Sequence, residues 1–178
     1  MYYSCNSLHD KISNTESILS VIYGPAQEIG KDAFWNHLMD VNAILDLPWC
    51  IIGDFNEMEC LSEKIGGTQL TLNKVVRMQT FLNSIHGENI PPSGRLSSWK
   101  KLIRGQLIYE RLDRVVGRKD WLDLYPNCSV VHGPFSCSDH SYIFLSTNNS
   151  TQFHKGPKFQ FQNHWSSYDE VHKIVKTH

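Results

Sequence analysis

Two polar residues that could carry chemistry follow the apolar run of "WCIIGDFNE" (49–57): Asp54 and Asn56. They are two positions apart, so in an extended segment their side chains point the same way. A carboxylate can orient or deprotonate a water molecule, and an amide can hold a phosphate oxygen. The alternative is an ordinary turn after a buried strand, because Gly, Asp and Asn all favour turns.

A second group of polar residues is "SDH" (138–140). Adjacent side chains of an extended segment point apart, so Asp139 and His140 would have different partners. Asp139 could bind a hard cation, and His140 could contact a phosphate with another carboxylate behind it. The alternative is a capping Asp followed by an exposed His.

The segment "ERLDR" (110–114) places charges in an apolar context, where each charge needs a partner. Asp113 could be the carboxylate that orients His140 and fixes its tautomer. The alternative is a structural Arg–Asp pair on a solvated strand.

Basic residues are concentrated between positions 95 and 119, where Trp and Tyr residues are interleaved with them. Such a segment could follow a phosphate backbone while an aromatic ring stacks nearby. The alternative is a solvated face without a ligand. The basic residues are Arg95, Lys100, Lys101, Arg104, Arg111, Arg114, Arg118 and Lys119.

The composition predicts a single globular domain of 178 residues, with 40% hydrophobic and 20% charged residues. A net charge of −1 gives the whole chain no strong attraction for nucleic acid. The five Cys show no CxxC spacing, which disfavours a zinc site or a disulfide framework and favours a reducing compartment. We find neither a signal peptide nor an apolar run near the roughly 20 residues of a membrane span. We therefore expect a soluble intracellular protein, with a nuclear location left open.

The elements that must position these residues have an α/β character. A strand ending at Gly24-Pro25, a helix over 31–47 and a strand over 49–53 form a βαβ-like unit. Further on, the pattern predicts a helix over 73–85 capped by Asn73. Segments 96–102 and 105–117 are predicted to contain a pair of short strands around Arg104-Gly105, followed by a further extended piece that ends at Gly117. A short helix over 118–126 and strands over 128–135 and 140–147 complete the series.

The domain boundaries follow from composition. Residues 1–17 are expected to be an N-terminal lead-in, 18–147 the folded domain, and 148–178 a linker and C-terminal tail. Within the tail, "FQFQNHWSSYDEVHKIV" (159–175) first alternates between apolar and polar residues and then has a short helical pattern.

Six motifs in order, "YGP", "GDFNE", "EKIGG", "SSW", "ERLDR" and "SDH", are more specific than any one of them. This series resembles the endonuclease/exonuclease/phosphatase family, and most of all the endonuclease domain of plant non-LTR (LINE-type) retrotransposons. The resemblance covers about residues 18–147. It implies a four-layer α/β sandwich, in which two packed mixed β-sheets are flanked by helices and the active site lies at the edge of one sheet.

The resemblance also implies Mg²⁺-assisted hydrolysis of phosphodiester bonds in DNA. Such chemistry depends on positioning and charge neutralisation. At the positions that match the family motifs, the resemblance implies that Tyr23 contacts the scissile phosphate, that Asp54 orients or activates the attacking water, and that Asn56 helps to bind the phosphate.

The remaining roles fall on the second half of the chain. The resemblance implies that Asp113 pairs with the catalytic His140, and that His140 stabilises the charge of the phosphorane-like transition state. It also implies that Asp139 is associated with the metal. The nucleic-acid contacts are assigned to Ser98, Arg111 and Arg114. No membrane association and no obligate protein partner are expected.

This chain departs from the family in its first third, where the family has an early Asn and a Glu that is the principal Mg²⁺ ligand. No residue before Tyr23 matches either one, so we expect a partial domain with weakened metal binding. The expectation is therefore that the isolated chain lacks significant nuclease activity. The alternative is a catalytically dead retrotransposon remnant that binds nucleic acid weakly.

Overall fold

A computed structural model describes residues 2–10, 14–68 and 75–147. Its largest element is a five-stranded mixed sheet. The strands are β1 (Tyr2–Asp10), β2 (Thr15–Tyr23), β3 (Trp49–Asp54), β5 (Gly87–Asn89) and β9 (Asp113–Arg118). Their spatial order is β1-β2-β3-β9-β5. Strand β2 is parallel to β3, and every other neighbouring pair in this sheet is antiparallel.

Helices α1 (Lys31–Ile44) and α2 (Val76–Ser84) cover one face of this main sheet. The predicted spacing holds for Phe34 and Leu38, whose side chains are buried against the strands. The core on this face consists of Ile18, Ile22, Phe34, Trp35, Leu38, Trp49, Ile51, Phe55, Met78, Phe81, Leu82, Ile85 and Val116.

A second, smaller sheet packs on the other face of the main sheet, together with helix α3 (Lys119–Leu124). It consists of β6 (Pro92–Ser93), β10 (Ser129–His132) and β11 (Ile143–Ser146) in the order β11-β10-β6, with one parallel and one antiparallel pair. The core between the sheets contains Cys50, Ile90, Val115, Trp121 and Val130. The predicted α/β architecture with two packed mixed sheets is confirmed.

A third, antiparallel sheet consists of β4 (Lys64–Ile65), β7 (Trp99–Ile103) and β8 (Gln106–Glu110). Its strand order is β4-β8-β7. Arg104 and Gly105, which join β7 to β8, have φ values of 50° and 79°. Positive φ at both central residues is what a two-residue type I′ hairpin requires, so the sequence-predicted turn forms here.

The structure differs from the expected element boundaries at the N-terminal end of the chain. Residues 2–10 form β1, which pairs with β2 along its whole length, so part of the expected lead-in belongs to the main sheet. Within 105–117 the short strand is β8 and the further extended piece expected to end at Gly117 is β9, with Arg111 and Leu112 between them. Asn73, the expected helix cap, and the tail 148–178 lie outside the described residues. Among the described helices, none combines the length and the apolar character needed to cross a membrane.

Candidate active site

Strand register brings two carboxylates together at one end of the main sheet. Asp54 is the last residue of β3 and Asp113 the first of β9, and the two are directly paired in the antiparallel ladder. Both residues are buried. Gly53 precedes Asp54 with a φ of 143°, and a Cβ at this position would lie 2.0 Å from the carbonyl oxygen of Ile22. Only glycine therefore lets β3 approach β2 this closely just before the site.

Asn56 holds the Asp54 carboxylate through two hydrogen bonds. Its backbone N–H donates to Asp54 Oδ1 at 2.8 Å, and its side-chain Nδ2 donates to Oδ2 at 2.7 Å. The second amide hydrogen bond runs from Nδ2 to the carbonyl oxygen of Gly24 at 3.0 Å. Both amide hydrogens of Asn56 are therefore in use. The segment forms a turn, as one of the two interpretations of the sequence expects, and the turn holds the Asp54 carboxylate in place.

His140 contacts Asp113 as the order of the motifs predicts. The distance between His140 Nδ1 and Asp113 Oδ2 is 2.8 Å. When the neutral ring donates from Nδ1 to the carboxylate, Nε2 is left as the acceptor. The loop before His140 is fixed by the His140 backbone N–H, which donates to Ser138 Oγ at 3.0 Å.

The electrostatics of this site are dominated by burial and by the two facing carboxylates. Burial and the neighbouring Asp113 raise the pKa of Asp54 to about 6. The hydrogen bond with Asp113 raises the pKa of His140 above its usual value. Ligand atoms of Asp54, Asp113 and His140 all lie within 4.8 Å of one another. Two buried carboxylates with this excess of negative charge suit a hard divalent cation such as Mg²⁺.

Asp139, the expected metal-associated residue, lies outside this three-residue group and is exposed. Its Oδ2 accepts a hydrogen bond from Trp99 Nε1 at 3.2 Å, and Trp99 forms an isolated β-bridge with His140. The sequence analysis considered Trp99 only as one of the aromatic residues interleaved with the basic ones, and not as a partner of Asp139. The signal for such a role was its place directly after the "SS" of the "SSW" motif.

Ser98 lies beneath the site with no exposed surface. Its Oγ accepts hydrogen bonds from the backbone N–H groups of Leu112, at 3.0 Å, and Asp113, at 2.8 Å. Its own carbonyl oxygen accepts from the N–H of Ser141. Ser98 thus fixes the backbone around Asp113 and next to His140. In this position it faces backbone groups and not solvent.

Arg111 and Arg114 are also buried, and Glu63 binds both of them. Arg114 NH2 donates to Glu63 Oε2 at 2.9 Å, and Arg111 NH1 donates to Glu63 Oε1 at 3.3 Å. Glu59 lies 3.5 Å from Arg114, and Arg111 also donates to Asn89. The Arg114 side chain has 0% exposure, so no part of it faces a phosphate in solvent. We call Glu59, Glu63, Arg111 and Arg114 the carboxylate–arginine network.

A second buried ion pair, which sequence reasoning missed, supports the loop after Asp54. Lys31 Nζ, at the start of α1, lies 2.8 Å from Glu57 Oε2 and donates to the carbonyl oxygen of Asn56 at 2.7 Å. The signal was a Glu three residues after the end of an apolar strand, since a carboxylate that becomes buried there needs a partner. Tyr23, on the neighbouring strand, is paired in register with Asp54, and its side chain is about half exposed.

No family model and no curated protein matches this sequence. Solved structures with a similar fold include an endonuclease domain and a catalytic domain. The endonuclease domain of TRAS1, a telomere-specific non-LTR retrotransposon, aligns with a TM-score of 0.61 and 14% identity over 80% of this chain and 62% of its own. The catalytic domain of Xenopus laevis APE2 aligns with a TM-score of 0.56 and 15% identity over 80% of this chain and 55% of its own. The chain therefore has the endonuclease/exonuclease/phosphatase fold and spans 55–62% of the length of these two structures.

Proposed function

We propose that this chain carries the site of a Mg²⁺-dependent phosphodiesterase of the DNA endonuclease type. The observation that carries the proposal is the Asp113–His140 contact beside the buried Asp54–Asn56 pair. Both similar structures are described as nuclease or catalytic domains, and at this low identity they support the fold alone. The chemistry is therefore argued from the residues.

In this mechanism Asp54 is the group that orients the attacking water and accepts its proton. Without a metal ion the pKa of Asp54 is raised to about 6, so most of this carboxylate is ionised near neutral pH, and its two oxygens can serve a cation and a water molecule. Asn56 uses both amide hydrogens on Asp54 and Gly24, so we assign it to holding Asp54 in place. This differs from the phosphate contact that the resemblance implies.

His140 is the group that faces the developing negative charge. Its raised pKa, which Asp113 causes, keeps the imidazolium form populated closer to neutral pH, and its Nε2–H can then donate to a phosphoryl oxygen. Tyr23 is half exposed at the same end of the sheet, where its hydroxyl can contact the scissile phosphate.

The Asp54 and Asp113 carboxylates would hold Mg²⁺, with Asp139 as an outlying acidic group. When bound, the ion supplies positive charge that stabilises the transferred phosphoryl group. Among the described residues no third carboxylate joins this group. Because Mg²⁺ binds through near-octahedral oxygen ligands, we expect weak metal binding and no significant nuclease activity from the isolated chain.

The surface for DNA is the hairpin β7–β8 and the loop that packs on it. Lys101 and Arg104 are exposed there. The Lys100 Nζ and the Arg95 guanidinium lie 4.8 Å and 4.9 Å from the centre of the Phe135 ring. The exposed cations suit a phosphate backbone, and the partly exposed Phe135 ring with its two neighbouring cations suits a nearby base. This surface also favours the second candidate function, which is nucleic-acid binding without hydrolysis.

The test of the site is nicking of supercoiled plasmid by the purified chain in Mg²⁺, with EDTA as the blank. We expect little nicking, and any activity should disappear in Asp54→Ala and His140→Ala while the surface variant Asp123→Ala keeps it. Robust nicking that both site variants abolish would support the site and refute the expected inactivity. Nicking that neither variant changes would contradict the proposed site.

Binding is tested separately, by fluorescence anisotropy of a labelled DNA duplex over a salt series. The double variant Lys101→Ala/Arg104→Ala should bind more weakly, and its salt slope should fall by about 1 for each phosphate that it no longer neutralises. Lys119→Ala is the matched control, since Lys119 is exposed beyond the opposite end of β9 from Asp113. Equal decreases in affinity for the two variants would contradict a specific surface on the hairpin.

A further inference from the structure

An apolar groove with a volume of about 310 Å³ lies between the main sheet and the edge of the second sheet. It exists because five strands of one sheet face only three of the other. Leu19 and Ile52 come from the main sheet, Trp121 from α3, and Ile143 and Leu145 from β11. It is on the side of the molecule where β11 ends, away from the carboxylate–arginine network.

Two observations indicate that this groove receives a further element. Ser17 Oγ, which lines the groove, is buried and has no hydrogen-bond partner among the described residues. Alternation along β2 puts Val21 on the same face as Ser17 and Leu19, and Val21 is 47% exposed. Leu8 of β1 also lines the groove and is 42% exposed. A buried hydroxyl without a partner and exposed apolar side chains both cost free energy when no further element covers the surface.

The chain itself supplies an element of fitting chemistry directly after the groove. Thr147, the last described residue, lines it, and residues 148–178 follow. Within them, "FQFQNHW" (159–165) largely alternates, so an extended segment would place Phe159, Phe161, Asn163 and Trp165 on one face, which is apolar except for Asn163. The other face would carry Gln160, Gln162 and His164. This is the pattern of a strand with one buried side and one solvated side.

We propose that residues 159–165 dock as a strand whose face of Phe159, Phe161 and Trp165 fills the groove. The proposal does not rest on the proposed function, since an inactive domain would need the same cover. It would make the C-terminal segment part of the folded domain instead of a linker.

The connection between β11 and the docking segment is long enough for this arrangement. Residues 148–158 can span up to about 36 Å when extended, at about 3.3 Å per residue. To run back along the four residues of β11, the connection must cover only about 13 Å. Gly156 and Pro157 favour a turn just before Phe159. The tether also keeps the segment at a high local concentration near the groove.

The first test compares two double variants of the full chain. Phe159→Ser/Phe161→Ser should lower the thermal midpoint by roughly 5–15 °C, because two aromatic side chains lose their burial. It should also increase the fluorescence of an added apolar dye, anilinonaphthalene sulfonate. The matched variant Gln160→Ser/Gln162→Ser changes the solvated face and should shift the midpoint by less than about 2 °C. Equal effects of the two variants, or none, would overturn the proposal.

The second test locates the docked segment with a double-mutant cycle between Leu19→Ala and Phe161→Ala. Contact in the groove predicts that the double variant loses less stability than the sum of the single variants. Additive losses would overturn the proposal, because they place Phe161 away from Leu19.

Light scattering after size-exclusion chromatography identifies whose segment fills the groove. We expect a monomer at all concentrations. A dimer that Phe159→Ser/Phe161→Ser dissociates would mean that the segment enters the groove of a second copy, and this result would overturn docking within one chain.

Discussion

Two groups of buried charge meet on strand β9, and they are balanced in opposite ways. In the carboxylate–arginine network, Glu63 lies within 3.3 Å of both Arg111 and Arg114. In the candidate active site, Asp54 is paired in register with Asp113, and the only cation-forming partner in that group of described residues is His140. The first group is neutralised by the fold itself. The second keeps an excess of negative charge, which is the property a metal site needs.

Neighbouring residues of one strand create this contrast. Asp113 and Arg114 are adjacent on β9, so their side chains point to opposite faces of the main sheet. Asp113 therefore reaches His140, and Arg114 reaches Glu63 and the carbonyl oxygen of Glu57 on the other side. A single short strand thus supplies both a structural ion network and an acidic site.

The largest expected effect is the loss of the network. Glu63→Ala removes the carboxylate that both arginines share and leaves Arg114, which has no exposed surface, without its closest ion partner. Breaking a buried ion pair by removing one partner typically costs about 3–5 kcal/mol. We expect a loss of that size in the free energy of unfolding, measured by urea denaturation.

The control for this prediction is Asp123→Ala, which breaks the exposed pair between Lys119 and Asp123 on α3. An exposed pair of this kind contributes at most about 0.5 kcal/mol. If Glu63→Ala lowered the free energy of unfolding by no more than this control, the carboxylate–arginine network would not stabilise the fold as expected.

The second expected effect is a pH dependence of the free energy of unfolding, which comes from the candidate active site. The pKa of Asp54 is about 6 in the folded protein against an ordinary value of 3.8, so the folded state holds this proton more tightly than the unfolded chain does. Stability should therefore fall as the pH rises from about 4 to 6, by up to about 3 kcal/mol in total. Asp54→Asn should remove this fall, as measured by urea unfolding across the pH range.

The contribution of His140 to stability also falls as the pH rises, but at a higher pH than that of Asp54. The two titrations can therefore be distinguished. The pKa of His140 is raised in the folded protein, so its contribution is complete below the ordinary value of 6.5 and is lost as the pH rises through the folded value. His140→Gln should flatten the curve above the ordinary His pKa, while the fall caused by Asp54 remains and extends to higher pH, because the charge of His140 lowers the pKa of Asp54. An Asp54→Asn curve parallel to that of the unmodified protein would refute the assigned charge excess.

The sequence predicts the proximity of Asp54, Asp113 and His140 better than it predicts the carboxylate–arginine network. The positions of Asp54, Asp113 and His140 follow from local motifs at strand ends, and the structure brings them together. The environment of Arg111 and Arg114 depends on Glu63, which lies about 50 positions earlier in the chain. Local charge patterns cannot distinguish a buried arginine with a distant partner from an exposed one, so these two were predicted as DNA contacts.

Strand β1 shows the same limit at the level of the fold. Its sequence "YYSCNSLHD" has no apolar run, and only its pairing with β2 makes it a strand. Helix α1, by contrast, follows directly from its spaced apolar residues and from Pro48 beyond its end. Elements stabilised by their own periodicity are predictable, while those stabilised by distant partners are not.

The third expected effect concerns the connection between the two groups. Ser98→Ala removes the hydroxyl that accepts hydrogen bonds from the N–H groups of Leu112 and Asp113, and these would remain buried without a partner. We expect a loss of about 1–3 kcal/mol in the free energy of unfolding. The pKa of His140, measured by NMR titration, should fall because its contact with Asp113 loosens. Ser84→Ala is the control, since its hydroxyl only donates to a carbonyl in helix α2.

The smallest expected effect is stabilisation by Mg²⁺, and it addresses the comparison most directly. At a concentration ten times its dissociation constant, a ligand of the folded state adds about 1.4 kcal/mol. At pH 7.5 we expect Mg²⁺ to raise the thermal midpoint by roughly 3–6 °C. At pH 5 the shift should be smaller, because Asp54 is then largely protonated and the proton competes with the metal.

Variants from the two groups should respond to Mg²⁺ in opposite ways. Asp54→Asn should lose the shift, since one of the two carboxylates is gone, whereas Glu63→Gln should keep it despite a lower starting stability. The same shift in Asp54→Asn would show that Mg²⁺ binds elsewhere. A shift that disappears only in Glu63→Gln would reverse the comparison, because it would place the metal on the network. The expected pattern would instead mean that the arginines neutralise the carboxylates of the network, while the charge of Asp54 and Asp113 is left for the metal ion.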